Sequence, residues 1–282
     1  MNQLFLLVSL GFFTAGFSFG DRSRPLGDDS PKNGCTECHT GIVGQDIMHP
    51  VVEDACDNCH LATDESHPAE GVPGFTLVEN VPDLCFICHE EVPPSVHGHS
   101  PVQGGDCLSC HDAHGSSEPG IIKLPEQELC MSCHKDIRTL VRGKGMAHSA
   151  IEGGGCIQCH LAHGSELPAL LVDRYPVEEY VPATIENFGL CFLCHDPDLI
   201  EAEETEWGTG FRNGTLNLHR LHINGDKGRN CKLCHNLHGS PGKFLISDEV
   251  VFGKWVMKMN FIPVENGGTC SPGCHGSKTY DR

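Results

Sequence analysis

Eighteen cysteines fall into nine pairs, and a histidine follows the second cysteine of every pair. Eight pairs have the spacing Cys-x-x-Cys-His: Cys35/Cys38/His39, Cys56/Cys59/His60, Cys85/Cys88/His89, Cys107/Cys110/His111, Cys130/Cys133/His134, Cys156/Cys159/His160, Cys191/Cys194/His195 and Cys231/Cys234/His235. The ninth, Cys270/Cys274/His275, has one residue more between its cysteines, and no cysteine is left over. No other feature restricts the fold so strongly, because the pairs recur from residue 35 to residue 275 of a 282-residue chain.

The redox compartment bears on what the cysteines do. Residues 1–20, MNQLFLLVSLGFFTAGFSFG, hold an apolar run from Leu4 to Phe13 that is short for a membrane span. Ser18 and Gly20 occupy the −3 and −1 positions of a cleavage site before Asp21. We expect residues 1–20 to be a signal peptide, although Met1, Asn2 and Gln3 supply no positive charge; an uncleaved anchor is the other reading. Export places the cysteines in an oxidising compartment, where disulfides are their ordinary fate. Disulfides explain an even count and leave the histidines unexplained. Zinc sites use Cys-x-x-Cys but need no histidine at the next position every time. At this chain's histidine frequency, nine such placements by chance come to roughly one in 10¹⁰. Cys-x-x-Cys-His is the attachment signature of c-type haem. The two thiols add to the vinyl groups on one porphyrin edge, and the adjacent imidazole binds the iron as proximal ligand. The expectation is nine covalently attached haems c, eight at CxxCH and one at CxxxCH. In the ninth, Pro272 and Gly273 lie in the longer loop, and a disulfide or an unused pair stays open there.

Nine proximal histidines leave ten others, and nine six-coordinate haems need nine distal ligands. His114, His163 and His238 each follow a proximal histidine by three residues. On a helical turn the two project from one side, so the trailing histidine cannot close its own haem and should reach a neighbouring one. His49, His99, His148 and His222 precede the second motif of a pair. HSPVQGGDC (99–107) and HSAIEGGGC (148–156) align residue for residue, which favours His99 as a ligand within its own repeat. His67 follows His60 by seven residues, and His219 forms a doublet with His222. The expected distal set is His49, His67, His99, His114, His148, His163, His219, His222 and His238, with His219 or His222 serving the ninth haem and His97 the spare. Met48, Met146, Met257 and Met259 are alternative iron ligands, although methionine more often fills gaps.

The motifs define four two-haem repeats at about 35–80, 81–124, 125–182 and 183–250, with a single-haem segment 251–282, all within one multihaem domain 21–282. A motif followed by x-x-His-Gly, as in His114–Gly115, His163–Gly164 and His238–Gly239, resembles the doubled-CxxCH multihaem c-type cytochromes of anaerobic, metal- or sulfur-respiring bacteria. LHRLHINGDKGRNCKLCHNLHGS (218–240) is the stretch most like them. The resemblance covers most of the chain beyond residue 20. It implies bis-histidine, low-spin haems and electron transfer, and it implies no particular partner. The first repeat lacks the His-Gly signature and the last motif is CxxxCH, so the chain departs from the pattern at both ends.

The expected fold is that of a multihaem cytochrome c, with little regular secondary structure. Short helices carry the motifs, and short strands wrap a chain of stacked haems. About 29 residues per haem are too few to give each macrocycle a private pocket. The 33 Gly and 18 Pro argue for turns and loops. The runs GIIKL, ALLVD and KFLIS after each trailing histidine read as short strands or extended wraps, and VVFGKWVMKMNFIPV (250–264) as strand. No segment after residue 20 is long and apolar enough for a membrane span.

A net charge of −19 is a poor fit to nucleic acid. The leading function is that of an electron carrier rather than an enzyme. A multihaem reductase for nitrite, hydroxylamine or a sulfur oxyanion would need one haem with an open face and acid–base groups, and the CxxxCH haem is its candidate. A conducting filament of stacked subunits is a third reading. The partners expected are other redox proteins: a quinol-oxidising membrane complex, an outer-membrane conduit, other cytochromes or further copies of the chain. The expected location is exported, in the periplasm foremost, with the outer surface or the medium as the other places. Without haem the apolar content is insufficient for a core. Produced without haem attachment, the chain is therefore expected to be unfolded by circular dichroism; a cooperative melt of that material contradicts the expectation.

Overall fold

A computed structural model describes residues 34–53, 55–65, 67 and 74–282. The expected signal peptide lies outside the described residues. Helices are short, the longest being the eight-residue Glu126–Cys133 and Lys135–Arg142. Strands of two to four residues pair into small antiparallel pieces, the largest of three strands (Ile262–Val264, Gly267–Cys270 and Lys278–Asp281). Little of the chain is regular, as expected.

The motif spacing itself produces the local structure. Cysteines at i and i+3 with histidine at i+4 share one face of a single helical turn. The first motif of each expected repeat sits on α-helix: Cys35–Cys38, Asp83–Phe86, Glu126–Cys133 and Gly189–Phe192. The second motif sits on a 3₁₀ turn: Cys56–Asn58, Cys107–Ser109, Cys156–Gln158 and Cys231–Leu233. In most of them the histidine N–H donates to the carbonyl of the first cysteine, for example His39 to Cys35 at 2.9 Å and His111 to Cys107 at 3.0 Å. The ninth motif is an exception to the expectation of helix. Cys270 ends the strand Gly267–Cys270 and the rest of the motif forms a turn, because the extra residue takes the second cysteine off the helical spacing.

Three two-residue strand pairs stitch each expected repeat to the next. Ile47–Met48 pairs with Gly115–Ser116, His97–Gly98 with Gly164–Ser165, and Met146–Ala147 with Gly239–Ser240. Each joins the residues beside a linker histidine (His49, His99, His148) to the His-Gly-Ser after a motif (His114, His163, His238). His49 N–H donates to the His114 carbonyl at 3.0 Å, and His148 N–H to the His238 carbonyl at 3.2 Å. The glycine is required by this approach: a Cβ at Gly115 would stand 2.6 Å from the Ile47 carbonyl oxygen. The serine then starts a turn. The Ser165 hydroxyl donates to the Leu171 carbonyl at 2.6 Å and accepts from Leu167 N–H at 2.9 Å.

The apolar runs after these serines are not strands. Each forms a 3₁₀ turn, Pro119–Ile121, Pro168–Leu170 or Lys243–Leu245, with residues at positive φ (Gly120 +72°, Ala169 +56°, Phe244 +59°). Only one residue of each makes a bridge, Ile122 to His111, Leu171 to His160 and Ile246 to His235. The turn points a carbonyl at the motif histidine, a task an extended strand would not perform. The 250–264 stretch is strand as expected, with the hairpin Glu249–Phe252/Trp255–Lys258 followed by Ile262–Val264.

Side chains do not fill the middle of the molecule. Among the described residues most buried apolar side chains fall in two small clusters in the C-terminal half, Tyr175, Val181, Phe188, Ile200 and Ile223 in one and Leu233, Val250 and Met259 in the other, with Val52, Met131 and Tyr280 buried apart from them. Asn217 locks the first cluster to the six-residue helix Leu218–Ile223. It is 1 % exposed; its amide donates to the carbonyls of Asp198, Leu199 and Ala202, and its oxygen accepts from Arg220 N–H. Asn217→Ala removes a helix cap and strands buried carbonyls, so it should cost about 2–4 kcal/mol, measured by denaturant unfolding of the haem-loaded protein. A loss under about 0.5 kcal/mol would mean the helix is held by other contacts.

Candidate functional site

The histidines meet in nine pairs, each of one motif histidine and one other. The ring centroids are 5.9 Å apart for His39–His67, 6.1 Å for His60–His114, 5.8 Å for His89–His49 and 6.0 Å for His111–His163. They are 6.2 Å apart for His134–His99, 6.1 Å for His160–His238, 6.1 Å for His195–His148, 6.3 Å for His235–His219 and 6.4 Å for His275–His222. Two imidazoles that bind one metal ion from opposite sides have this separation. A metal–nitrogen bond of about 2 Å and about 1.1 Å from nitrogen to ring centre, taken twice, give about 6.2 Å. The residues present therefore fit haem c, with two thiols beside one ring of each pair.

The ten non-motif histidines divide as nine and one. His97 makes no such pair among the described residues; it sits in strand opposite Ser165. The pairings cross the expected repeats more often than the sequence suggested. His99 faces His134 of the following repeat, not a histidine of its own. His114, His163 and His238 face His60, His111 and His160, the second motif histidines of the repeats before theirs. They are placed by a bend (His114, His238) or a turn (His163) and a strand pair rather than by a helix. Linker histidines reach forward and trailing histidines reach back. That scheme leaves the first and eighth motifs without a donor, and His67 and His219 fill those two positions.

The cysteines show how successive sites adjoin. The Cys35 thiol contacts Cys56 and helps to push it up, and Cys85 meets Cys107 in the same way. The Cys130–Cys156 and Cys191–Cys231 thiols share hydrogen bonds that push Cys156 and Cys191 up. These contacts are between motifs of one repeat. Between repeats, Cys88 acts on Cys59, Cys133 on Cys110, Cys194 on Cys159, and Cys270 and Cys274 on Cys234, which burial pushes up to about 12. Each thiol stands in for a thioether that does not titrate, so the shifts serve here as a record of nearness. The nine cysteine pairs thus follow one another in sequence order.

Burial keeps several of the rings neutral, the form a metal ligand needs. It depresses His60, His148, His163, His235 and His238, and it lowers His219 to about 4 with help from His235, His222 and His195. Backbone acceptors fix which nitrogen faces the gap. The Nδ1 of His111, His160 and His235 lies 2.8, 2.8 and 3.0 Å from the carbonyls of Gly120, Ala169 and Phe244, each nine residues downstream. His99 Nδ1 reaches the Ala162 carbonyl at 2.9 Å, His222 Nδ1 the Leu218 carbonyl at 2.6 Å and His219 Nδ1 the Thr209 hydroxyl at 2.9 Å. These acceptors were missed in the sequence, although the constant nine-residue interval after three motif histidines is a signal for them. Between the last two sites Phe211 packs against both His219 and His222, with centroids 5.1 and 5.4 Å away. Met257 packs on the Cys274 thiol at 3.9 Å, while the ring facing His275 is that of His222.

Glu126 also escaped the sequence reading. Its carboxylate accepts from Cys156 N–H at 2.6 Å and Ile157 N–H at 3.3 Å and lies beside the Cys130 and Cys156 sulfurs. It ties the helix of the fifth motif to the 3₁₀ turn of the sixth. Tyr175 serves the same end in the next repeat, its hydroxyl accepting from Lys232 N–H at 2.9 Å.

Comparison with known proteins agrees with this geometry. The family described as "Doubled CXXCH motif" matches residues 49–93, 99–139 and 148–199. Multiheme cytochrome MtrA of Shewanella baltica (strain OS185) is 28 % identical over 137 residues, covering 40 % of this chain and 41 % of the relative. The chain therefore spans about two fifths of the length of the relative it matches.

Loss of the Glu126 carboxylate leaves two backbone donors without a partner. Glu126→Ala should lower stability by about 2 kcal/mol, with Glu126→Gln recovering about half, read from denaturant midpoints at constant m. Equal stability of both variants and the parent would show that water replaces the carboxylate without loss.

Proposed function

The chain is a multihaem c-type cytochrome of the doubled-CXXCH family that binds haem c covalently, and from that premise we propose that it carries electrons along nine bis-histidine haems. The observation that carries the proposal is the set of nine imidazole pairs, each 5.8–6.4 Å apart and each holding one motif histidine. Bound haem c supplies reversible one-electron iron chemistry, at potentials below those of His/Met haems. The chain's own residues do the rest. Eighteen cysteines tether the nine macrocycles. His39, His60, His89, His111, His134, His160, His195, His235 and His275 hold one axial position. His67, His114, His49, His163, His99, His238, His148, His219 and His222 hold the other in the same order. With both faces capped, small molecules have no vacant iron position, and this supports a carrier over a reductase. The ninth site, the candidate for an open face, has His222 opposite His275.

The contacts between neighbouring attachment cysteines support a single file of sites in sequence order, with entry and exit at the ends. The four two-haem repeats and the terminal single-haem segment are the units of that file. We place the protein outside the cytoplasm, in the periplasm foremost, on the strength of the apolar leader and of thioether attachment. Its partners are redox proteins: a quinol-oxidising membrane complex as donor, and an outer-membrane conduit, other cytochromes or further copies of the chain as acceptor. No helix among the described residues is long and apolar enough to cross a membrane.

The polypeptide purified from its host should carry nine haems by intact mass and show only low-spin ferric signals in electron paramagnetic resonance. His163→Ala or His99→Ala should convert one haem in nine to high spin, whereas His97→Ala should leave the spectrum unchanged. A high-spin haem in the parent protein, or a count well below nine, contradicts the proposal.

A further inference from the structure

The file of sites is electrically lopsided. Residues 34–122, which hold the first four motifs, contain fifteen Asp and Glu and not one Lys or Arg. Residues 207–282, which hold the last two, contain ten Lys and Arg against five Asp and Glu. The switch starts at Lys123, whose ammonium donates to the Leu108 carbonyl and opposes Asp106 at the Cys110 thiol of the fourth motif. At physiological ionic strength a charge is felt over about 8 Å. Each site therefore responds to the charges of its own stretch, and the two ends do not average out.

The contrast is sharpest next to the attachment points. Between the paired cysteines, the first two motifs carry Glu37 and Asp57, the eighth carries Lys232, and the others carry no charge. Asp57 acts on the adjoining Cys56 thiol. At the eighth motif the Arg229 guanidinium, held 4.4 Å over the Tyr180 ring, acts on Cys234. The residues after the motif histidines vary in sign along the chain (Glu90, Asp112, Lys135 and Asp196), and Asp112 is one that meets an axial ring. Asp112 lies 3.7 Å from Nδ1 of His114, the ring that faces His60 of the second motif, and accepts the His114 N–H at 3.0 Å. The aligned residues beside His163 and His238, which face the fourth and sixth motifs, are Leu161 and Asn236. A carboxylate against an axial imidazole makes it a stronger donor, and negative charge near iron favours the oxidised state. Cations favour the reduced state.

We propose that these charges polarise the file, holding the first and second sites at the lowest potentials and the eighth and ninth at the highest, so that electrons run downhill from the N-terminal to the C-terminal end. The inference rests on the ligand pairing proposed above. In each hop one site is oxidised by one electron and its neighbour reduced by one, and no atom is transferred.

Spectroelectrochemical titration of the haem-loaded protein tests this, after haem stoichiometry and the low-spin spectrum have been checked for every variant. The combination Glu37→Gln, Asp57→Asn and Asp112→Asn should shift the lowest-potential limb of the titration upward and leave the highest limb in place. Lys232→Gln with Arg229→Gln should shift the highest limb downward. Asn236→Asp, which gives the sixth site the carboxylate now found at the second, should lower the potential of one intermediate haem. High salt should compress the span of the parent protein. Charge removal at the N-terminal end that moves the highest limb, or that moves nothing, overturns the polarity while leaving the ligand assignment intact. A parent count below nine haems, or a high-spin haem in it, fails the ligand assignment itself and takes the polarity with it.

Discussion

The structure depends on one recurring contact, two imidazoles held about 6 Å apart by different parts of the chain. Strand pairs, glycine approaches and turn serines all act to set that distance. His49 and His114 show how. A two-residue ladder and the bond from His49 N–H to the His114 carbonyl place them side by side, yet they face different partners, His89 and His60. Every such junction fixes two gaps at once. The chain reaches geometric precision with very little secondary structure because each short ladder has only one job.

That economy explains the absence of a conventional interior. The two apolar clusters lie in the C-terminal half, where Tyr175, Phe188 and Asn217 steady the Leu218–Ile223 helix. There the strand ladder used elsewhere is replaced by a helix that carries His219 and His222 three residues apart. Among the described residues the first four motifs have no comparable cluster, and the covalently bound group must supply their apolar mass. The charge of that region, fifteen acids without a cation, would repel an unsupported chain and is compatible with a fold closed by covalent haem attachment.

Much of this was legible in the residues. Cysteine and histidine spacing pointed to covalently bound haem c and to the helical setting of eight motifs, because those follow from covalent geometry. The cross-repeat pairing was not legible. The aligned segments 99–107 and 148–156 suggested ligands used within a repeat, but likeness of sequence says which residues do equivalent work, not whose partner they are. The runs GIIKL, ALLVD and KFLIS have strand-like composition, and their true form is set by a long-range demand, a carbonyl for Nδ1 of a histidine nine residues earlier. Glu126 looked like any acid at a helix start; its importance lies in a loop thirty residues away.

Forward- and backward-reaching histidines also bear on how such a chain grows. Each interior junction is complete in itself, with one ladder, two rings and one glycine. Duplication of a repeat within the array creates another junction of the same kind and calls for no new donor. Only the extremities need bespoke solutions, and His67 and His219 are those solutions. The architecture is therefore extensible in steps of two sites, like a zip fastener lengthened from the middle, while its two end-pieces stay as they are.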